Sequence, residues 1–160
     1  MSARAEALAS RLEEGVTRLA TLAETLTAAE WATPVPRDGR AVGVVVHHVG
    51  NMFPIELQVA LTVAKGEPVQ GVTWEVVHAI NAEHAAARVA VTRAEAVEFL
   101  RAQARTAAAG IRALTDGELD RAAPVSLYGD APVTCQFMLE DHAVRHCWHH
   151  LDKIRRALGR

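Results

Sequence analysis

The sequence predicts an all-α fold, a four-helix bundle with an additional helical insertion between its second and third long helices. Three observations lead there. Apolar side chains recur three and four positions apart over long stretches, the spacing that gathers them on one helix face. Half of the 160 residues are hydrophobic but only 4% are aromatic, so the core must be built largely from Ala, Leu and Val. Of these, Ala and the unbranched side chains lose little freedom in a helix. Finally, no stretch offers a convincing pair of strands. At this length the chain, residues 1–160, fits one helical bundle domain with room for a real core.

The elements follow in order. Leu8, Leu12, Val16, Leu19, Leu22 and Leu26 form one apolar face of a first helix, from about Ala3 to Leu26. Thr27-Ala-Ala-Glu30 reads as a capping box opening a short turn that delivers Trp31. Pro34, Pro36, Asp38 and Gly39 then break the chain. A second helix runs from about Arg40 to Lys65. Its opening Val42-Gly-Val-Val-Val46 is strand-like in composition. However, Val45, Val49, Met52, Phe53, Val59, Ala60 and Val63 continue at helical spacing, which decides for helix. Pro54 removes a backbone donor below His48 and is expected to kink it.

Gly66 to Gly71 is a loop, and Thr73 caps the inserted helical stretch, to about Val91, which leaves room for a crossover. Thr92-Arg-Ala-Glu95 is a second capping box and starts a helix to Leu114, with Ala96, Phe99, Leu100, Gln103, Ala107 and Ile111 on its core face. Thr115-Asp-Gly-Glu118 repeats the signature for a short turn ending near Arg121. Ala122 to Val133, holding Pro124, Tyr128, Gly129 and Pro132, is the longest irregular segment and the natural mouth of a site. Thr134 caps the final helix, from about Cys135 to Leu158.

Composition excludes several function classes. The net charge is −2 with both signs mixed along the chain, so there is no basic stripe for a nucleic-acid backbone. Met1 to Glu6 is charged where a signal peptide needs an apolar core, and no run reaches membrane-spanning length. A cytoplasmic protein without a membrane partner is expected. Cys135 and Cys147 would lie roughly 18 Å apart along one helix, beyond disulfide reach, and are expected as reduced thiols. No Cys-x-x-Cys provides a structural zinc knuckle.

The chemistry concentrates in the last helix, which holds four of the eight histidines. His142, His146 and His150 form a stripe continued by Ile154 and Leu158. Imidazoles one turn apart, such as His146 and His150, can chelate one divalent ion. A third ligand would come from the His47–His48 pair, and the residues alone leave open which of the two. Inward imidazoles without partners cost roughly 1–3 kcal/mol each, and a metal removes that cost. Three His ligands leave coordination positions open, as in a catalytic site. His142 reads either as a cavity-lining or as a satisfied core group. His47 and His149 point away from their ligand neighbours and read as interface or surface groups; His78 and His84, in the insertion, carry little weight. A di-iron bundle needs Glu-x-x-His on two helices, and none of the four long helices has it. No nucleophile elbow is present, and Cys147 reads as packing.

Val46-His-His-Val-Gly-Asn51, followed far downstream by His146-Cys-Trp-His-His150-Leu-Asp-Lys-Ile154, resembles the DinB/YfiT-like superfamily. Members carry a His near the start of the second helix and His-x-x-x-His in the last. The Trp31 turn, the Asn81 segment, the Thr92 helix start and the closing Arg-Ala-Leu-Gly159 also fall where that pattern places them. The resemblance implies His48, His146 and His150 as ligands of one divalent metal ion, zinc or nickel most often. His48 is preferred to His47 because the family's ligand directly precedes the apolar residue that here is Val49. It further implies an unusual helix order, frequently a homodimer, and a small-molecule substrate. Characterised relatives are thiol S-transferases using bacillithiol, mycothiol or glutathione, and the mycothiol-dependent maleylpyruvate isomerase. The isomerase branch typically has Glu at the position of His146. The expectation is therefore a metal-dependent enzyme transferring a low-molecular-weight thiol cosubstrate to an electrophile. The alternatives are a non-catalytic metal-binding or interaction bundle, a metal-dependent hydrolase, or an enzyme like the isomerase. No further catalytic or cofactor-binding side chain is assigned.

Overall fold

The computed structural model describes residues 2–160. Helix α1 is Ala3–Thr25, α2 Ala28–Trp31, α3 Val42–Ala64, α4 Trp74–Ala87, α5 Arg93–Arg112 and α6 Asp116–Asp120. A hairpin of β1 (Ala122–Val125) and β2 (Ala131–Thr134) leads into the final helix, built from α7 (Cys135–Met138), a π-helical turn (Leu139–Val144) and α8 (Arg145–Ala157). Local chemistry explains the starts. Thr27, Thr92 and Thr115 each form a complete capping box with the Glu three residues on. Ser2, Thr73 and Thr134 cap α1, α4 and α7 through their hydroxyls. Among the described residues no helix is long and apolar enough to cross a membrane.

Cross-helix contacts define the order of the bundle. Arg101 pairs with Glu24, and Arg112 with Glu6 and Glu13, so α1 and α5 run antiparallel. Arg4 meets Gln136 and Arg11 meets Glu140, so α1 and the last helix run parallel. Gly50 lies against Leu100, and Gly110 against Leu57, which makes α3 and α5 parallel. Glu56 reaches His146 while His48 neighbours His150, so α3 and α8 are antiparallel. The long helices thus run up, down, down, up. Two parallel neighbours in succession require the chain to travel back along the bundle between them. Residues 65–92 make that return, and α4 within them buries only His84. The insertion is therefore the crossover connection.

Three details differ from the sequence expectation. The segment 122–133 is not irregular: it is an antiparallel hairpin in the register Ala122↔Thr134 to Val125↔Ala131, with Val69 bridged to Val125 alongside. Pro124 faces Pro132 in that register, and two short proline-bearing strands lack the alternation by which strands are recognised. The last helix is not uniformly α, because six of its residues take the wider π form and rotate α7 relative to α8. On the core face of α5, Phe99 and Gln103 are only partly buried, and Val97, Ala104 and Ala108 take the deeper places. Pro54 sits inside α3 on an exposed position, and the helix continues through it.

Trp31, delivered by the short α2 turn, donates its indole N–H to the carbonyl of Val91 and lies across Gly43 in the first turn of α3. A methyl group at Gly43 would overlap the indole ring. Gly43→Ala is therefore expected to lower stability by about 1–3 kcal/mol through overpacking, read as a drop in the urea midpoint. Gly117→Ala, at a helical position with nothing within 4 Å, should leave the midpoint unchanged or raise it.

Candidate metal centre

The antiparallel seam between α3 and α8 brings together side chains nearly a hundred residues apart. His48 and His150 are buried and His146 is partly buried. Their ring centroids lie 4.8 to 5.3 Å apart. One nitrogen from each falls within 4.8 Å of the others. The i, i+4 spacing stacks His146 and His150 on one face of α8, and α3 supplies His48 from the opposite side of the seam.

Two of the three imidazoles, His48 and His150, are held neutral by their surroundings. Burial, followed by the nearby His146 and Arg40 charges, pushes His48 down to about 2. Burial, with His146, His48 and Arg40, likewise holds His150 far below the usual imidazole range. Each is thus a lone-pair donor at physiological pH. The Nδ1 atoms of both are shielded from solvent and have no hydrogen-bond partner. His146 differs: its Nδ1 lies 2.7 Å from Glu56 Oε1, and Glu56 is itself buried. A carboxylate accepts, so Nδ1 carries a proton, and Nε2 is the nitrogen left available to an ion. Orientation of a ligand imidazole by a carboxylate behind it is the usual supporting shell of a metal site. A set of three imidazoles fits a divalent transition-metal ion. Unpaired buried nitrogens are the observation that makes an ion a good fit here. Glu56 escaped the sequence reading, although it lies eight positions after His48, on nearly the same helix face.

The remaining histidines separate cleanly. His47 turns away from the cluster, stacks on Phe99 with centroids 4.3 Å apart, and contacts His84 at 2.8 Å through its Nδ1. It is a helix-interface residue, as its position suggests. His84 is buried and its ring lies 5.7 Å from that of His48, so it has more weight than its place in the insertion implied. His149 is exposed. His142 accompanies Tyr128, the sole tyrosine: the phenol donates to Asp141 Oδ2 at 2.9 Å and meets His142 Nε2 at 2.7 Å. The π turn carries Asp141 and His142, and the hairpin supplies Tyr128.

A cavity of about 480 Å³ opens beside the three imidazoles, with Tyr128, His142 and His78 also on its wall. Its apolar side is made by residues such as Met52, Val59, Val77 and Leu127. Neither cysteine offers a nucleophile. Both are buried; burial, with Glu118 nearby, pushes Cys135 up to about 11, and burial raises Cys147 still further.

A pH dependence follows. Unfolded, an imidazole takes up a proton near pH 6.5, whereas folded His48 resists until about pH 2 and His150 also stays neutral. Between those limits the unfolded state binds more protons, so acid favours unfolding. Metal-free protein is expected to lose about 1.4 kcal/mol per pH unit for each such histidine below pH 6. Urea unfolding of wild type and His48→Gln checks this, the variant showing the shallower slope.

Comparison with known proteins gives a consistent placement. A search of curated proteins returns no match. YfiT from Bacillus subtilis, described as a probable metal-dependent hydrolase with an unusual four-helix bundle topology, has a similar solved structure. The similarity has a TM-score of 0.75 and 19% sequence identity, covering 99% of this chain and 90% of that one. At that identity the likeness is one of fold. The family model for the DinB superfamily matches residues 11–154. The chain therefore belongs to the DinB superfamily.

Proposed function

We propose that the protein is a divalent-metal-dependent enzyme in which His48, His146 and His150 hold one ion, zinc or nickel, and that it joins a low-molecular-weight thiol to a small electrophile. The observation that carries this reading is the convergence of three imidazoles, one braced by Glu56, on the wall of a cavity large enough for an organic molecule. The chemistry such an ion supplies is acidification of a bound thiol or water and polarisation of an electrophile.

The chain's own residues do the rest. Glu56 fixes the tautomer and aim of His146. Met52, Val59 and Leu127 line the apolar side of the cavity and exclude water from part of it. Tyr128 and His142 form a hydrogen-bonded pair able to exchange protons with an occupant. The thiol must come from outside, because Cys135 and Cys147 are buried and held in the protonated form. A hydrolase that uses water in place of thiol is the second reading; the polar Tyr128–Asp141–His142 cluster and the description given to YfiT favour it. An isomerase-like activity is disfavoured, since a histidine stands where that branch has its glutamate.

Purified wild type is expected to hold close to one zinc or nickel per chain by elemental analysis, and His150→Ala to lose it while keeping its helical circular dichroism. Unchanged metal content in that variant contradicts the reading. Glu56→Gln should retain the ion with affinity lowered about 10–100-fold. Turnover of a chromogenic aryl halide should require added thiol in the transferase and proceed without it in the hydrolase.

A further inference from the structure

The α3–α8 seam has three levels. Glu56 meets His146 at one level and His48 meets His150 at the next. Beyond them, where α3 begins and α8 runs on towards its end, lie Asp38, Arg40 and Lys153, all on the cavity wall. The turn that carries Asp38 and Arg40 is firmly built. Buried Val35 accepts the backbone N–H groups of Asp38 and Gly39, and donates its own to the carbonyl of Arg40. Arg37 and Gly39 take positive φ of 65° and 81°, which closes the turn tightly.

Within it Arg40 grips Asp38 with a fork, Nε to Oδ1 at 2.6 Å and Nη2 to Oδ2 at 2.8 Å, the two side chains being only 17% and 6% exposed. Burial favours the neutral acid at Asp38, but the Arg40 fork and the Lys153 charge outweigh it, so the pair is ionised. This geometry uses two of the guanidinium's three nitrogens. The third, Nη1, is shielded from solvent and has no partner. Arg40 is also close enough to the centre for its charge to bear on both His48 and His150.

The acids and bases of the wall are unevenly employed. Asp38 is taken by Arg40, Glu56 by His146, and Asp141 by Tyr128 and Arg145. Among the described residues Lys153 makes no ion pair, and Arg40 keeps its idle nitrogen. Two cations, Arg40 and Lys153, stand against one carboxylate, Asp38, at this end, while the wall also holds the unpartnered acceptors Glu56 Oε2 and Asn81 Oδ1. The net positive charge left at this end suits an anionic group entering the cavity, such as a carboxylate. The same wall also carries aliphatic side chains such as Met52, Val59 and Leu127.

We propose that the Arg40–Lys153 end of the cavity is a carboxylate-binding subsite, and that the substrate of the three-histidine centre is an organic acid whose apolar body lies along the aliphatic lining of the cavity. The identification as a substrate subsite rests on the proposed function, whereas carboxylate binding by Arg40 does not. Asp38 holds the guanidinium in place, Arg40 sets the position of the acid group, and Lys153 adds a second, movable cation. Arg40 is then a specificity-determining residue.

Hexanoate and hexanamide serve as probes, titrated by protein-observed NMR into metal-free and zinc-loaded protein. Metal-free wild type should bind hexanoate about tenfold or more tightly than hexanamide. That preference should fall to near parity in Arg40→Gln and weaken in Lys153→Gln. If Arg40→Gln leaves Asp38 unpaired and fails to fold, the double variant Asp38→Asn with Arg40→Gln removes the orphaned charge and serves in its place. Equal binding of acid and amide by wild type, or a preference that survives loss of Arg40, overturns the proposal. A preference seen only with zinc overturns it too, since the ion rather than Arg40 then holds the acid. An Arg40-dependent preference in a protein that binds no zinc sustains the subsite and removes the enzyme reading instead.

Discussion

Three imidazoles share one buried corner, and the packing of α3 makes this the feature on which the site depends. The close approach of α3 to α5 at Gly50, where an added Cβ would sit 3.0 Å from Leu100 Cα, holds the helix against its neighbour. Phe99 stacks on His47 one turn away and turns that ring from the seam, leaving the adjacent His48 to face α8. A rotation of α3 by one residue would bring His47 one way, or Val49 the other, to the seam in place of His48. Register, more than composition, makes the centre. Neutral imidazoles whose nitrogens lack partners are also a poor way to fill a core. The fold accepts that cost along a single seam and packs Leu, Val and Ala almost everywhere else.

The up-down-down-up order has a consequence for the site. Because α3 and α5 are parallel, the connection between them must cross the length of the bundle, and α4 does so beside the cavity. Trp74, Val77, His78 and Asn81 of α4 recur on one side of that helix and form part of the cavity wall. The hairpin and the π turn supply another part, with Tyr128 set between Asp141 and His142. The bundle itself thus provides the three-histidine corner, while its two least regular connections shape the space in front of it. Fold and chemistry are separable in this arrangement, and a DinB bundle can keep the corner while the connections change what fits.

Much of this was legible beforehand because it depends on local rules. The capping boxes at Thr27, Thr92 and Thr115 marked helix starts that the structure reproduces. The His146–His150 spacing determined a shared face whatever the tertiary arrangement. The choice of His48 over His47 was different: it came from family resemblance, and only the packing of Phe99 on His47 gives its physical reason. What escaped depends on contacts distant in sequence. Glu56 is one carboxylate among many until α8 places His146 beside it. His84 gains its place from the path of the crossover. The hairpin was hidden by Pro124 and Pro132, and the π turn has no signature in its residues.

The central claim is that His48, His146 and His150 hold one divalent ion. X-ray absorption at the zinc edge of zinc-loaded protein tests it most directly. The account predicts about three nitrogen scatterers at 2.0–2.1 Å, with the outer-shell pattern of imidazole rings and room for a further light ligand. A first shell made only of oxygens, without outer imidazole scattering, would contradict it.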